Sequence, residues 1–479
     1  MINLVVFILL LGSRCFRCSA ALASPLSEYE KQLKKEGFDL KVLHEEIKEE
    51  SREVLKEFGS KTMQTDIALL RADYERAAVH STNETKEITE LEMNNGISGD
   101  LYEGDLELTP EQWKAATEAD PHNPATRRQA LTNFVRMWKP IGQPLIPYNY
   151  APGYPADKKP VVKASIDFWE DRTCVRFRPA TSSDKDVLQF NHIADGCSSS
   201  VGLRGGVQKI NLGNGCHSVT VVAHEISHTF GTLHVQGRSD RDKYVRIDTS
   251  NIKEGKAHNF LKEPATGFSH YDIPYEFGSM QHYHEKAFAL NSSRPTIYAM
   301  KAFEKFQYSM EAPRATFYDT LLVNRMYKCT DKCQKKITCQ NNGVQHGSDC
   351  KKCFCPRGWA GTNCEKRPAD AQTINVENGK EVKVELGKSS GDFIEKLYIL
   401  KAPAGKKIQT TVTKLGDRYT SMCRSFGMEI IPFNDTRTSG FRFCSEPKQG
   451  RITSEGDTML VWVYTTNYKF YANIAIKLV

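Results

Sequence analysis

His224-Glu225-Ile226-Ser227-His228-Thr229-Phe230-Gly231-Thr232-Leu233-His234 sets what the rest of this chain must be built to hold. On a helix, His224 and His228 stand one turn apart on the same face, so both imidazoles reach one metal ion. Glu225 projects to the side of that face, where it holds a water beside the metal without becoming a ligand. Gly231 turns the helix end sharply at little steric cost and lets His234 swing back as a third ligand. Three neutral imidazoles leave one position open on a roughly tetrahedral zinc, the arrangement of a catalytic site. Water at that position has its pKa lowered to about 7. Glu225 takes its proton as hydroxide meets a scissile carbonyl, then passes the proton to the leaving amine. Three unconnected histidines on an amphipathic helix are the plainer explanation, but they leave both the glycine and the glutamate without a purpose.

Around this stretch, 479 residues are too many for one core, and the length points to about three domains. The net charge of +7 hides an asymmetry: residues 24–128 carry 14 Lys and Arg against 24 Asp and Glu, and the remainder is basic. An acidic front and a basic body suggest two parts that lie against each other, two separately solvated surfaces being the alternative. No basic patch is interleaved with aromatics, which argues against a nucleic-acid partner.

Met1 to Ala23 reads as a secretory signal: Leu4 to Leu11 is an apolar run too short to span a bilayer, and Ala21-Leu22-Ala23 offers small residues for cleavage. No other apolar stretch is long enough for a transmembrane helix, so no integral membrane anchor is expected. Of 14 cysteines, Cys15 and Cys18 fall in the signal; the other twelve, in an oxidising compartment, read as six disulfides. Sequons at Asn83, Asn291 and Asn434 fit a secreted, extracellular glycoprotein.

In chain order, Ser24 to about Asn95 has apolar residues at helical spacing (Leu33, Leu40, Leu43, Ile47, Leu55) and predicts amphipathic helices. Gly99 to Leu108 then presents Asp105 on an extended loop, where a carboxylate crossing the active site would fill the open metal position; a solvated loop acid is the plainer reading, and only the zinc site downstream gives it a purpose. Arg127-Arg128 is a dibasic pair where the acidic segment meets aromatic-rich sequence (Phe134, Trp138, Tyr148), which points to cleavage there, ordinary surface charge being the other reading. Short alternating runs at Ser165 to Phe168, Cys174 to Phe177 and Leu188 to Phe190 predict strands, and Gly205 to Gly213 holds the last strand before the zinc helix. A strand ending beside a cleft can add a peptide substrate as an antiparallel neighbour. Tyr275 to Tyr283 is a tight turn. A Tyr283 hydroxyl near the metal would stabilise an oxyanion, a core aromatic being the other reading.

Cys333, Cys339, Cys350, Cys353, Cys355 and Cys364 crowd a segment too short to bury a core, which disulfides must staple. Zinc binding by Cys353 and Cys355 is the competing idea. Beyond Arg367, β-rich runs at Leu397 to Leu400, Ile408 to Val412 and Met459 to Tyr464 suggest a β-sandwich with one cysteine pair, Cys423 and Cys444, and no catalytic constellation. A binding or packing module is the expectation there.

The motif, its continuation Arg238-Ser239-Asp240-Arg241-Asp242 and the turn ending in His282-Tyr283 together resemble secreted astacin-family zinc metalloproteases of the nematode type. The resemblance implies an α+β fold: a metzincin-type, two-subdomain zinc protease with an active-site helix. It implies boundaries of 1–23 for the signal peptide, 24–128 for a helical propeptide and 129–329 for the catalytic domain. An EGF-like module over 330–366 and a CUB-like β-sandwich over 367–479 would follow. It makes His224, His228 and His234 the ligands of one Zn2+, Glu225 the general base and Tyr283 a zinc contact that swings away in catalysis. Tyr102-Glu103-Gly104-Asp105 is similar to the family's Phe-x-Gly-Asp, so Asp105 inherits the ligating role of the zymogen. Implied disulfides are Cys174–Cys329, Cys197–Cys216, Cys333–Cys350, Cys339–Cys353 and Cys355–Cys364, with Cys423–Cys444 in the last module. Two positions depart from the pattern. Val235 replaces a glutamate that meets the new N-terminus after propeptide removal, and Gln281 replaces the methionine before His-Tyr, which implies a more polar or repacked floor. The function implied is a secreted zinc endopeptidase, made as a zymogen, that cuts extracellular proteins such as matrix or cuticle collagens. The alternative is a matrix-binding protein with a structural zinc site.

Overall fold

The computed structural model describes residues 93–94, 101–117, 136–263, 269–387, 393–416, 423–445, 450–466 and 468–479. All of them belong to one compact unit, residues 84–479. The expected helices of residues 24–92, the dibasic pair Arg127-Arg128 and Asn83 lie outside the described residues.

The first layer is a six-stranded sheet. Its strands are β1 (Leu106–Glu107), β2 (Leu145–Tyr150), β3 (Arg176–Pro179), β4 (Val187–His192), β5 (Cys197–Ser200) and β6 (Val207–Leu212), in the order β1-β5-β6-β4-β2-β3. Only the β5–β6 pairing is antiparallel. Along β6 the faces alternate: Ile210 and Leu212 are buried, whereas Lys209 and Asn211 point the other way. Three helices of the described residues bear on the site: α1 (Pro110–Thr117), α2 (Lys159–Arg172) and α3 (Val219–Phe230). Helices α2 and α3 are tied together where the Trp169 indole donates to the Ala223 carbonyl at 2.9 Å and the Ser165 hydroxyl to Val219 at 3.1 Å.

Ser165 to Phe168 therefore lies inside a helix rather than a strand. Four residues are too few to tell the two periods apart. Over the whole of α2 the buried positions Val162, Ser165, Ile166 and Trp169 fall at helical spacing, and the wider pattern wins. The expected strand at Cys174 to Phe177 forms two residues later, as β3.

Helix α3 forms in spite of its opening Val219-Thr220-Val221-Val222, a β-branched run that disfavours helices. Ser218 starts it by accepting the Val221 N–H at 3.2 Å, and ten of its twelve residues are buried, so packing overrides propensity. It stops at Gly231, whose φ of 105° only glycine adopts freely. A fourth helix, α4 (Phe317–Met326), opens with a capping box between Thr316 and Asp319. The same Asp319 accepts from the Ser279 hydroxyl at 2.5 Å and the Met280 N–H at 3.1 Å, which pins the turn of Tyr275 to Tyr283 against the helix.

Beyond α4, residues 333–364 hold three disulfides around a two-stranded hairpin of β7 (Val344–Gln345) and β8 (Cys353–Phe354). Residues 372–478 then form two facing sheets of five and four strands, the β-sandwich expected from the sequence. The disulfides are Cys174–Cys329, Cys197–Cys216, Cys333–Cys350, Cys339–Cys353, Cys355–Cys364 and Cys423–Cys444, the pairs the resemblance implies. One hydrophobic core runs from Phe260, Phe277, Tyr283 and Phe288 through Phe306 into Phe441, Val461 and Ile474 of the sandwich. No helix of the described residues is long and apolar enough to cross a membrane.

Candidate active site

Helix α3 presents His224 and His228 one turn apart, and the turn at Gly231 returns His234 beside them. All three are buried, as is Glu225. The Nε2 atoms of His224 and His228 are 3.0 Å apart. Asp105, carried by the loop before β1, brings its Oδ2 to 3.2, 3.8 and 3.1 Å from the Nε2 atoms of His224, His228 and His234. One ligand atom from each of the four residues thus lies within 4.8 Å of the others.

The opposite ring nitrogens fix which atom faces the centre. Nδ1 of His224 bonds the Met280 carbonyl at 2.8 Å, Nδ1 of His228 the Thr232 carbonyl at 2.9 Å, and Nδ1 of His234 the Glu103 carboxylate at 2.9 Å. Each therefore keeps a proton on Nδ1, and Nε2 is the atom that faces the centre, as in metal-binding histidines. Three such nitrogens and one carboxylate oxygen at these separations fit zinc, whose bonds to them are about 2.0–2.2 Å long.

Burial pushes the Asp105 carboxyl up, but His234, His224 and His228 together hold it well below the usual carboxylate range. Burial also opposes charge on His234, yet Asp105 and Glu103 lift it above an ordinary histidine. His228, with burial dominant, falls well below and stays neutral. A metal ion held by the three Nε2 atoms would take the place of the proton on His234.

Tyr283 packs its ring 4.8 Å from that of His234, and its hydroxyl donates to the Glu103 backbone carbonyl. Its backbone is held by the Gln236 side chain, whose oxygen accepts the Tyr283 N–H at 3.0 Å. Arg241 in turn grips the Gln236 carbonyl at 2.9 Å. The Arg-x-Asp-Arg-Asp run thereby braces the loop that follows His234.

Gln281 donates through Nε2 to the His224 carbonyl at 3.2 Å and the Ser227 hydroxyl at 2.7 Å, so this polar floor is bonded to the helix it supports. Val235 donates its N–H to the Gln281 carbonyl at 2.8 Å and packs its side chain against the core.

Glu103 has no part assigned by the sequence. It sits at φ 47°, a left-handed conformation that side chains rarely adopt, beside Gly104 at φ 78°. That conformation aims its carboxylate at His234 and its carbonyl at Tyr283. The one signal in the sequence is its place between an aromatic residue and Gly104-Asp105. Of the sequons, Asn291 and Asn434 are exposed. The Asn291 side-chain oxygen accepts from the Ser293 N–H and hydroxyl, at 2.9 and 2.7 Å.

Residues 131–328 match the family model for astacin, a family of peptidases. Zinc metalloproteinase nas-23 of Caenorhabditis elegans is 30% identical over 379 residues, covering 77% of this chain and 70% of that protein. Zinc metalloproteinase nas-29 of the same organism is 31% identical over 327 residues, 66% of this chain and 61% of its own length. Among solved structures, the hatching enzyme zinc-protease High choriolytic enzyme 1 of Oryzias latipes is 28% identical, with a TM-score of 0.36 over 40% of this chain and 94% of that one. With this His-rich centre on the helix that carries it, the chain belongs to the astacin family of zinc metalloproteinases.

Proposed function

We propose that the chain is a secreted zinc endopeptidase, made as a zymogen and activated by cleavage near Arg127-Arg128, that cuts extracellular proteins such as matrix or cuticle collagens. In this reading 1–23 is a signal peptide, 24–128 the propeptide and 129–329 the catalytic domain. An EGF-like module (330–366) and a CUB-like module (367–479) complete the chain, and Asn83, Asn291 and Asn434 carry glycans. The convergence of Asp105 on His224, His228 and His234 carries the proposal, because it joins a metal centre and its blocking group in one chain.

His224, His228 and His234 hold the zinc, which when bound polarises the scissile carbonyl and makes water more acidic. Glu225 accepts the proton of the attacking water and returns it to the leaving amine as the C–N bond breaks. Tyr283 donates its hydroxyl to the oxyanion. Asp105 takes the place that water and substrate need. Strand β1 runs parallel to the edge strand β5. A substrate would run antiparallel there, so the front segment lies reversed in the cleft and offers no bond to the site in a cleavable sense.

Processed full-length chain should hydrolyse a casein substrate, lose that activity to a chelator and regain it with zinc. Glu225→Ala should lower kcat/KM by about 10³-fold. Hydrolysis that Glu225→Ala leaves intact would overturn the assignment.

A further inference from the structure

The front segment fills more of the cleft than the metal position. Two residues past Asp105, Glu107 extends along β5 and lays its carboxylate into a nest of donors. Its Oε1 accepts from the Ser198 hydroxyl at 2.8 Å and the Asn211 amide at 2.5 Å, and its Oε2 lies 3.7 Å from an Arg204 Nη1. Ser198 and Asn211 face each other across the β5–β6 register, so both point to the same side of the sheet.

These donors are held in place by neighbouring side chains. The Asn191 amide donates to the Asn211 oxygen at 3.2 Å, which leaves the Asn211 NH2 as the end that faces Glu107. The Arg204 guanidinium donates to the Ser200 hydroxyl at 3.2 Å, which steadies it at the rim. Ser198 is buried, and the Arg204 side chain is 30% exposed. Once the front segment leaves, two neutral donors and one cation face the open cleft with no carboxylate between them. Such groups bind an anion with charge-assisted hydrogen bonds.

We infer that Ser198, Asn211 and Arg204 form a substrate subsite that selects an acidic side chain, aspartate or glutamate, on the amino-terminal side of the cut bond. The inference rests on the peptidase reading above. Its direction follows from strand polarity. Glu107 lies about 7 Å beyond Asp105 along an edge that the front segment follows in the parallel sense. A substrate following the same edge antiparallel reaches that point with residues that precede its reacting carbonyl. The second residue before the scissile bond is at the matching distance. Glu107 thus fills from the reverse direction a position that a substrate acid fills from the forward one.

The test uses processed full-length chain and two quenched fluorescent peptides that differ only at the second residue before the cut, Glu in one and Gln in the other. The wild type should favour the Glu peptide in kcat/KM by about tenfold, the size of one charged hydrogen-bonded contact. Arg204→Gln, at the exposed rim, and Asn211→Leu should each bring that ratio toward one. A wild-type ratio of one, or a ratio that both variants retain, overturns the inference. Casein separates this from the wider reading: a chain that cuts neither peptide nor casein refutes the peptidase proposal instead. The subsite is then read by polarisation of the same labelled peptides on the zinc-loaded chain. Tenfold tighter binding of the Glu peptide supports it, and equal binding refutes it.

Discussion

Asp105 and Glu103 do different things from nearby positions on one loop. Asp105 meets the three Nε2 atoms, whereas Glu103 holds the far side of His234 and the hydroxyl of Tyr283. Asp105→Ala should therefore give an unprocessed chain at least about tenfold more active on a small peptide than the wild-type precursor. Glu103→Gln should release less, because its backbone carbonyl still receives the tyrosine. Precursors assayed before any cleavage decide this, and two equally silent variants would indicate steric blocking by the segment as a whole. The histidine trio and Glu225 are legible in the sequence because they belong to one short spaced motif, whereas Asp105 and Tyr283, each with a plainer local reading, draw their roles from the resemblance. Glu103 is not legible, since its partner His234 is 131 residues away and no local spacing encodes that encounter. Glu276 escapes for the same reason. It is buried, and its oxygens accept the N–H groups of Gly278 at 3.0 Å and of Ser439 at 3.2 Å. Burial pushes its carboxyl up to about 7, ahead of those two N–H groups, which pull it back. The folded chain thus keeps a proton there that the unfolded chain, with an ordinary value of about 4.3, gives up. The stability this adds is fully present below about pH 4.3 and is lost as the pH rises through about 7. Between pH 5 and pH 8 the thermal midpoint should fall further for the wild type than for Glu276→Gln. Parallel behaviour of the two would refute it.

The elements follow the same division between local and distant causes. Helix α3 has a readable start at Ser218 and a readable stop at Gly231, although its first turn carries residues better suited to strands. Ser218→Ala should cost about 1 kcal/mol in chemical denaturation, the usual worth of a lost N-cap. Unchanged stability would mean that burial alone sustains the helix. Helix α2 is misread by a four-residue window, and its period emerges only across all fourteen residues. Strands β4 and β6 are legible because apolar and polar residues alternate from Leu188 to Asn191 and from Lys209 to Leu212. Strand β1 has two residues and exists only through its partner β5, so nothing in its own composition announces it.

At the scale of the molecule, the sandwich is no loosely tethered appendage. Arg442 is fully buried. It donates to the Glu311 carbonyl, pairs with Glu429 at 3.3 Å, and receives the support of the Ser309 hydroxyl on its N–H at 2.9 Å. Phe306 stacks on Phe277 with centroids 4.8 Å apart and meets Phe441 at the same distance. A Cβ added at Gly278 would come within 2.3 Å of the Ser439 hydroxyl oxygen, so the turn that carries Tyr283 abuts the sandwich directly. The run of β-rich segments makes the sandwich legible, but not its fusion with the site, which depends on single side chains from both sides. Arg442→Ala removes one of the two cations that hold buried Glu429, leaving Arg357 at 3.4 Å, and should cost about 3 kcal/mol, read from denaturant midpoints. A chain ending at residue 366 should bare the Phe277 and Phe306 faces and aggregate at temperatures the full chain withstands. Equal solubility and activity of the shortened chain would refute this.

The carboxylate of Glu103 behind His234 has a consequence for the proposed activation. A charged acceptor on one ring nitrogen makes the other a stronger electron donor. In the proposed activation, departure of the front segment would end that push, and His234 would become a weaker donor to the zinc it would hold. The loss of two neighbouring acids, Glu103 and Asp105, would then uncover the site and weaken one of its donors in a single event.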